Sequence, residues 1–164
     1  MSDKDTLIQR LDLQPHPEGG FYKETYRAEM NLDTPPGFSG NRSASTGIYF
    51  MLTKDSKSHL HRIKSDEMWH FYSGDPLQIV MLSPTGEFSE KILGPNLDKG
   101  ETYQFVVPAG YWFGSEVLTG GEYSLVGCTV APGFDFNDFE MAKKEELIKT
   151  FPKYSEFLNE FCLD

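Results

Sequence analysis

Three side chains in one short stretch could do chemistry together. They are His59, His61 and Glu67, within His59-Leu60-His61-Arg62-Ile63-Lys64-Ser65-Asp66-Glu67-Met68-Trp69-His70-Phe71-Tyr72-Ser73-Gly74. Alternate residues of a strand point to one face. His59, His61 and Ile63 therefore share a side, and Glu67, Trp69 and Phe71 share one on the next run. A tight turn at Lys64-Ser65-Asp66 predicts a hairpin that brings two imidazoles and a carboxylate together. Such a trio suits a divalent metal with open positions, a histidine base held by a carboxylate, or the polar lining of a pocket. All three readings stand open on the residues alone.

Other polar residues extend the set. Arg27 and Arg42 are suited to bidentate contact with phosphate or carboxylate. Arg42 is followed by the hydroxyls of Ser45 and Thr46, at the edge of a loop. Arg62 has the wrong parity to join His61. Trp69 and Phe71 share the parity of Glu67 and could floor a pocket for a ring. Gln104 is a polar residue in an apolar strand, so it faces either solvent or a wet cavity. His16, between two prolines, reads as a structural or rim residue, and His70 should face away from Glu67. Cys128, in an apolar run, reads as a buried small hydrophobe rather than a nucleophile.

The elements that would position these residues are mostly short strands. Asp5 to Leu13 predicts a helix with Asp5 as a possible N-cap. Pro17-Glu18-Gly19-Gly20 is a turn into a strand from Phe21 to Arg27. Asn31 to Asn41 is a long surface loop, and a loop beside a site can be a lid. Further strands are predicted at 44–53, 77–83, 87–93, 103–107, 111–117 and 123–130. From Asn137 the period turns helical through Thr150, with Asp135 or Asn137 as a cap, and Tyr154 to Phe161 forms a last turn or two. Many short strands with Gly and Pro turns and a helical tail predict an antiparallel sandwich or barrel.

At 164 residues the chain is expected to form one domain, residues 1–164, large enough to bury a core. The formal net charge of −10 argues against nucleic acid as a partner. A small anion remains open, since a local Arg cluster can hold one. Two cysteines without CxxC spacing, a charged N-terminus and no long apolar run predict a cytoplasmic protein that does not cross a membrane.

An HxH pair followed by Glu and later by a Pro-x-Gly turn resembles the cupins. Here the pieces are His59-x-His61, Glu67, Gly74 and Pro108-Ala109-Gly110. The chain resembles most the stand-alone branch of the RmlC-like cupin superfamily catalogued as a domain of unknown function. That resemblance rests on several blocks in order: Pro15 to Tyr22, Tyr26-Arg27, Thr46 to Phe50, His61-Arg62, Ser65 to Phe71, Gln104 to Trp112, and Val126 to Phe134.

The resemblance implies a mainly β double-stranded β-helix, a jelly-roll-like barrel with short helices at both ends, and a homodimer. It favours a cavity-facing Gln104. It also implies a small polar or anionic ligand in the barrel: a sugar, a sugar phosphate or a nucleotide-linked sugar. Tyr22, Arg27, Arg42, Ser45, Thr46, Trp69 and Gln104 would contact it.

Sugar-nucleotide epimerases of the superfamily abstract a proton with a histidine and use a tyrosine as partner acid. That implies isomerase or epimerase chemistry with His61 as base, Glu67 as its carboxylate, and Tyr49, Tyr22 or Tyr111 as the acid. The alternatives are a metal-dependent oxygenase on His59, His61 and Glu67, and a non-catalytic binding or sensor protein. Five residues separate His61 from Glu67, where metal-binding cupins generally have three or four. Phe113 stands where such cupins have a fourth ligand. The metal-ligand set is therefore incomplete, and His61 rather than His59 lies in the matching blocks.

Overall fold

A computed structural model describes residues 2–163; Met1 and Asp164, the ends of the expected domain, lie outside the described residues. In chain order the elements are α1 (Asp3–Arg10), β1 (Gln14–Pro15), β2 (Phe21–Arg27), β3 (Asn31–Leu32), β4 (Arg42–Ser43), β5 (Thr46–Thr53), β6 (Lys57–Arg62), β7 (Asp66–Gly74) and β8 (Leu77–Leu82). They continue with β9 (Phe88–Leu93), β10 (Gln104–Val107), β11 (Trp112–Val117), β12 (Tyr123–Ala131), β13 (Glu140–Met141), α2 (Lys144–Thr150) and α3 (Ser155–Phe161).

Two antiparallel sheets face each other. One runs β1-β2-β5-β12-β7-β10 and the other β13-β6-β11-β8-β9. Alternation along each strand sends one set of side chains between the sheets and the other outward. Phe50, Trp69, Ile79, Met81, Phe113 and Val126 fill the interior. The outer face of the five-stranded sheet is covered by Leu147 of α2 and by Leu158 and Phe161 of α3, packed on Leu60, Leu82 and Trp112. On the other sheet, Leu7, Ile8 and Leu11 of α1 region pack over Met51 and Leu125. This is the antiparallel sandwich with a helical tail that the strand pattern predicts, and the mainly β, cupin-type fold with terminal helices that the resemblance implies. No described helix is long and apolar enough to cross a membrane.

The chain does not make the expected hairpin at Lys64-Ser65-Asp66. β6 pairs with β11 and β13, while β7 pairs with β12 and β10. The turn therefore carries the chain from one sheet to the other. Inward-facing residues of β6 and β7 meet across the interior rather than side by side.

Two helix expectations also shift. α1 begins two residues before Asp5, because Ser2 is the N-cap and its hydroxyl accepts from the Asp5 N–H. It stops before Asp12, whose φ of 53° no helix continues. The stretch expected to be helical from Asn137 first makes a short 3₁₀ turn, capped by Asp135, and then pairs as β13 with β6. Arg62 donates to Glu140 across that pair at 2.8 Å, and α2 starts only at Lys144.

Candidate active site

A cavity of about 420 Å³ opens at one end of the barrel. Its walls come from β2, β5, β6, β7 and β12, and its rim from the His16–Glu18 turn and Phe134–Phe139. Five carbocyclic rings line it: Tyr22, Phe50, Phe134, Phe136 and Phe139.

At its floor His61 and Glu18 form a buried pair. His61 Nε2 lies 2.8 Å from Glu18 Oε2, with side chains only 3% and 8% exposed. The other Glu18 oxygen accepts from Ser58 Oγ at 2.9 Å. His61 Nδ1–H donates to the His59 carbonyl at 2.7 Å. Phe113 lies against the His61 ring at 4.1 Å between centroids and Phe139 stacks on it at 5.3 Å. Burial alone would favour the neutral forms of both partners. Their mutual attraction and hydrogen bonds outweigh it, so His61 is raised and Glu18 lowered from their ordinary values. The pairing thus favours the imidazolium–carboxylate form, with both ring nitrogens occupied.

Glu18 reaches this position because of the turn that follows it. Gly19 has φ of +110° and no room for a Cβ against the Lys57 carbonyl, so the turn packs directly on β6. The His59 N–H donates to the Glu18 carbonyl at 2.8 Å, and the Glu18 N–H donates to His16 Nδ1 at 3.1 Å.

Glu67 enters from the opposite sheet. Burial, and then the charge of Glu18, push its carboxyl up to about 7, against smaller lowering effects of His61 and of a hydrogen bond from the Cys128 thiol. Burial likewise raises the Cys128 thiol well above its usual range, which keeps it a neutral donor. The expected small buried cysteine is thus also a polar contact of Glu67. Beside the ion-paired Glu18 and Glu24 and the rim Asp135, the cavity therefore holds one carboxyl balanced near neutrality, Glu67, and its separation from the Glu18 carboxylate suits acid–base work.

His59 does not join His61. Phe113 pairs with His61 and Ser115 with Ser58, so Gly114 alone opposes both His59 and Leu60. This is a β-bulge, and one extra residue reverses the side-chain alternation. Gly114 is required there, because a Cβ would lie 2.6 Å from the Ser58 carbonyl oxygen. Ser58 and His61 both turn to Glu18, while His59 lines a separate surface pocket with Thr53, Lys57 and Glu160. Its Nδ1–H donates to the Glu18 carbonyl at 2.9 Å. Among the described residues no three His, Cys, Asp or Glu side chains converge as a metal site. With His59 turned away, Phe113 in the fourth position and His61 Nε2 held by Glu18, the donor set does not fit the expected metal site.

Several other expected contacts lie elsewhere. Arg42 is buried outside the cavity, donating to both Asp138 oxygens at 2.8 Å, to Ser39 Oγ and to the Asn41 carbonyl. It ties the base of the Asn31–Asn41 loop to the 135–138 segment and has no donors turned to a ligand. Ser45 spends its carbonyl on Ala28 N–H and Ser43 Oγ and does not line the cavity. Tyr49 faces outward under α1, edge-on to Tyr72. Tyr111 packs on the barrel core. Trp69 sits in the core between Phe50 and Phe113 and supports the cavity from below without lining it. Gln104 is exposed and meets His70 Nδ1 at 3.2 Å on the outer face.

Tyr22, Arg27 and Thr46 do line the cavity, with His61 and Glu67. Thr46 Oγ1 accepts from the Phe134 N–H at 2.9 Å, and Arg27 pairs with Glu24 at 2.6 Å. His16 lines it too, edge-on to Tyr22 at 4.5 Å, and burial lowers its pKa. The carboxylate that holds His61 is Glu18 rather than Glu67. Glu18 was visible only as part of a turn; the flanking glycines were the signal that its backbone makes a close approach.

The profile of the Cupin superfamily (DUF985) matches residues 5–142. Uncharacterized protein YML079W of Saccharomyces cerevisiae is 34% identical over 159 residues, covering 90% of this chain and 79% of that protein. A hypothetical protein from Leishmania major is 36% identical with a TM-score of 0.93, over 99% of this chain and 100% of its own. Protein SO0799 from Shewanella oneidensis is 41% identical with a TM-score of 0.88, over 99% of each chain. On sequence and structure together, the chain belongs to the DUF985 family of the cupin superfamily.

Proposed function

We propose that this cupin binds a small ring-bearing metabolite in its barrel and moves a proton on it, as an isomerase or epimerase does. The observation that supports this is the meeting of Glu67 with the fixed His61–Glu18 pair in one aromatic cavity. Glu67 is the proton carrier. Its carboxyl is balanced near neutrality, where giving and taking a proton cost least. His61 is a positioning and charge-stabilising residue, because Glu18 and the His59 carbonyl occupy its two nitrogens. The imidazolium stabilises negative charge that develops when Glu67 abstracts a proton. Tyr22 is the cavity tyrosine placed to supply the partner proton.

The test is solvent exchange. Incubation with a metabolite pool in D₂O should add one deuterium to a specific compound with the native protein. Glu67→Gln and His61→Ala should not do so. Binding without deuterium incorporation in the native protein would leave a binding protein and reject the enzyme reading.

A homodimer belongs to the same proposal. Exposed Tyr72 and Val106, on neighbouring strands β7 and β10, support an apolar contact face. Sedimentation as a monomer at micromolar concentration would reject it.

A further inference from the structure

We propose that the barrel cavity selects an amine, held as an ammonium ion among aromatic rings and carboxyl groups, and rejects phosphate-bearing ligands. The inference rests on the reading above for the choice of cavity and adds the charge of the ligand.

A count of charges carries it. The cationic side chains in the wall are Arg27 and His61, and each is already matched. Arg27 donates twice to Glu24 and once to the Phe134 carbonyl. His61 is matched by Glu18. His16 is held neutral by burial, which outweighs the pull of Glu18. The carboxyls left over are Glu67 and Asp135. Glu67 is nine-tenths buried, and among the described residues its carboxyl has the Cys128 thiol as its hydrogen-bond partner. Asp135 caps the Asn137 N–H, with Arg42 at 4.0 Å from its other oxygen. A phosphate entering this cavity would meet carboxyls and no unmatched cation, and it would lose its hydration without compensation.

The rings suit a cation. Phe134, Phe136 and Phe139 stand mutually edge-on, at centroid separations of 4.9, 5.8 and 6.1 Å. Phe136 is 52% exposed although it is a large apolar side chain at the mouth. Aromatic faces attract ammonium groups, most strongly where water is excluded.

Binding of a cation must also release the Glu67 proton. The groups acting on Glu67 are Glu18 from the turn, His61 from β6 and Cys128 from β12; the rest of the wall adds His16, Glu24, Arg27 and Asp135. An added positive charge among them favours the ionised carboxylate, so affinity for an ammonium rises as pH passes through about 7.

Three probes share one ring and differ in charge: benzylamine, benzyl alcohol and phenyl phosphate. Calorimetry on the full chain should find benzylamine the tightest at pH 8, by roughly tenfold over phenyl phosphate. Its affinity should fall toward pH 6, and that pH dependence should vanish in Glu67→Gln. Phe136→Leu, at an exposed position, should weaken benzylamine while leaving benzyl alcohol little changed. Phenyl phosphate binding as tightly as benzylamine, equal binding of all three, or no benzylamine binding at millimolar concentration overturns the inference. Amine selectivity with no deuterium exchange would reject the enzyme reading and keep this one; exchange on an anionic compound would do the reverse.

Discussion

Among the described residues two buried charge pairs have the same length, and they do different jobs. His61–Glu18 and Arg42–Asp138 both close at 2.8 Å with side chains at most 8% exposed. Arg42 spends its donors on Asp138, Ser39 and a backbone carbonyl, beside the Phe38 ring and outside any shared cavity. His61 and Glu18 instead line an open cavity and look across at Glu67. Burial and pairing alone do not mark a functional site. A third titratable group within the field of the pair, with space for a ligand between them, does.

The comparison can be broken most severely at Glu18. Glu18→Gln leaves His61 buried without its counter-charge, and should cost about 3–5 kcal/mol of stability, the usual range for breaking a buried pair. It should also abolish deuterium exchange. Chemical denaturation and the exchange assay check both. Loss of stability with normal exchange would make this pair structural, like the other.

Next in size is the pH dependence of folding. The Glu67 carboxyl is raised from its ordinary 4.5 to about 7, so the native state keeps a proton that the unfolded chain has lost. Stability on this account is full below about 4.5 and falls as pH rises to about 7, by roughly 3 kcal/mol. His61, also raised, adds a loss as pH rises through its own folded pKa, and Glu18, lowered, adds one as pH falls through its folded pKa. Denaturation of Glu67→Gln across this range isolates the Glu67 part, and the difference between variant and native protein should grow from pH 4.5 to 7. A constant difference would refute it.

Arg42→Ala sharpens the contrast from the other side. It should lower the melting temperature by several degrees through the stranded Asp138 carboxylate, yet not weaken ligand binding in the folded protein, since the other carboxyl it leaves, Asp135, belongs to the cavity wall. Weakened binding at unchanged fold would return Arg42 to the site.

The smallest expected effect is at His59. Its ring makes one hydrogen bond to the Glu18 carbonyl, so His59→Ala should cost about 0.5–1.5 kcal/mol in stability and leave exchange largely intact. Severe loss of exchange in this variant would restore the two-histidine reading.

Strand alternation and turn residues made the barrel legible, and β2 falls where Phe21 to Arg27 alternates. The same alternation misled at His59, because the bulge depends on Gly114, which comes from a different strand. Register across a sheet is a tertiary property that no local pattern carries. Arg42 looked free because Asp138, its partner, lies 96 residues away. Glu18 was hidden for the opposite reason: its turn chemistry explained it fully, and only the packing of Gly19 on β6 shows what the turn positions. His61 and Glu67 were legible as residues facing one interior, although the partner each was given was wrong.

The central claim is that burial, and then the Glu18 charge in the same cavity, hold a proton on Glu67 near neutrality. Titration of the Glu67 side-chain carboxyl carbon by ¹³C NMR, in the native protein and in Glu18→Gln, tests it most directly. The account predicts a midpoint of about 7 in the native protein and a lower one in the variant. A native midpoint in the ordinary carboxylate range, or one that does not move when Glu18 loses its charge, would contradict it.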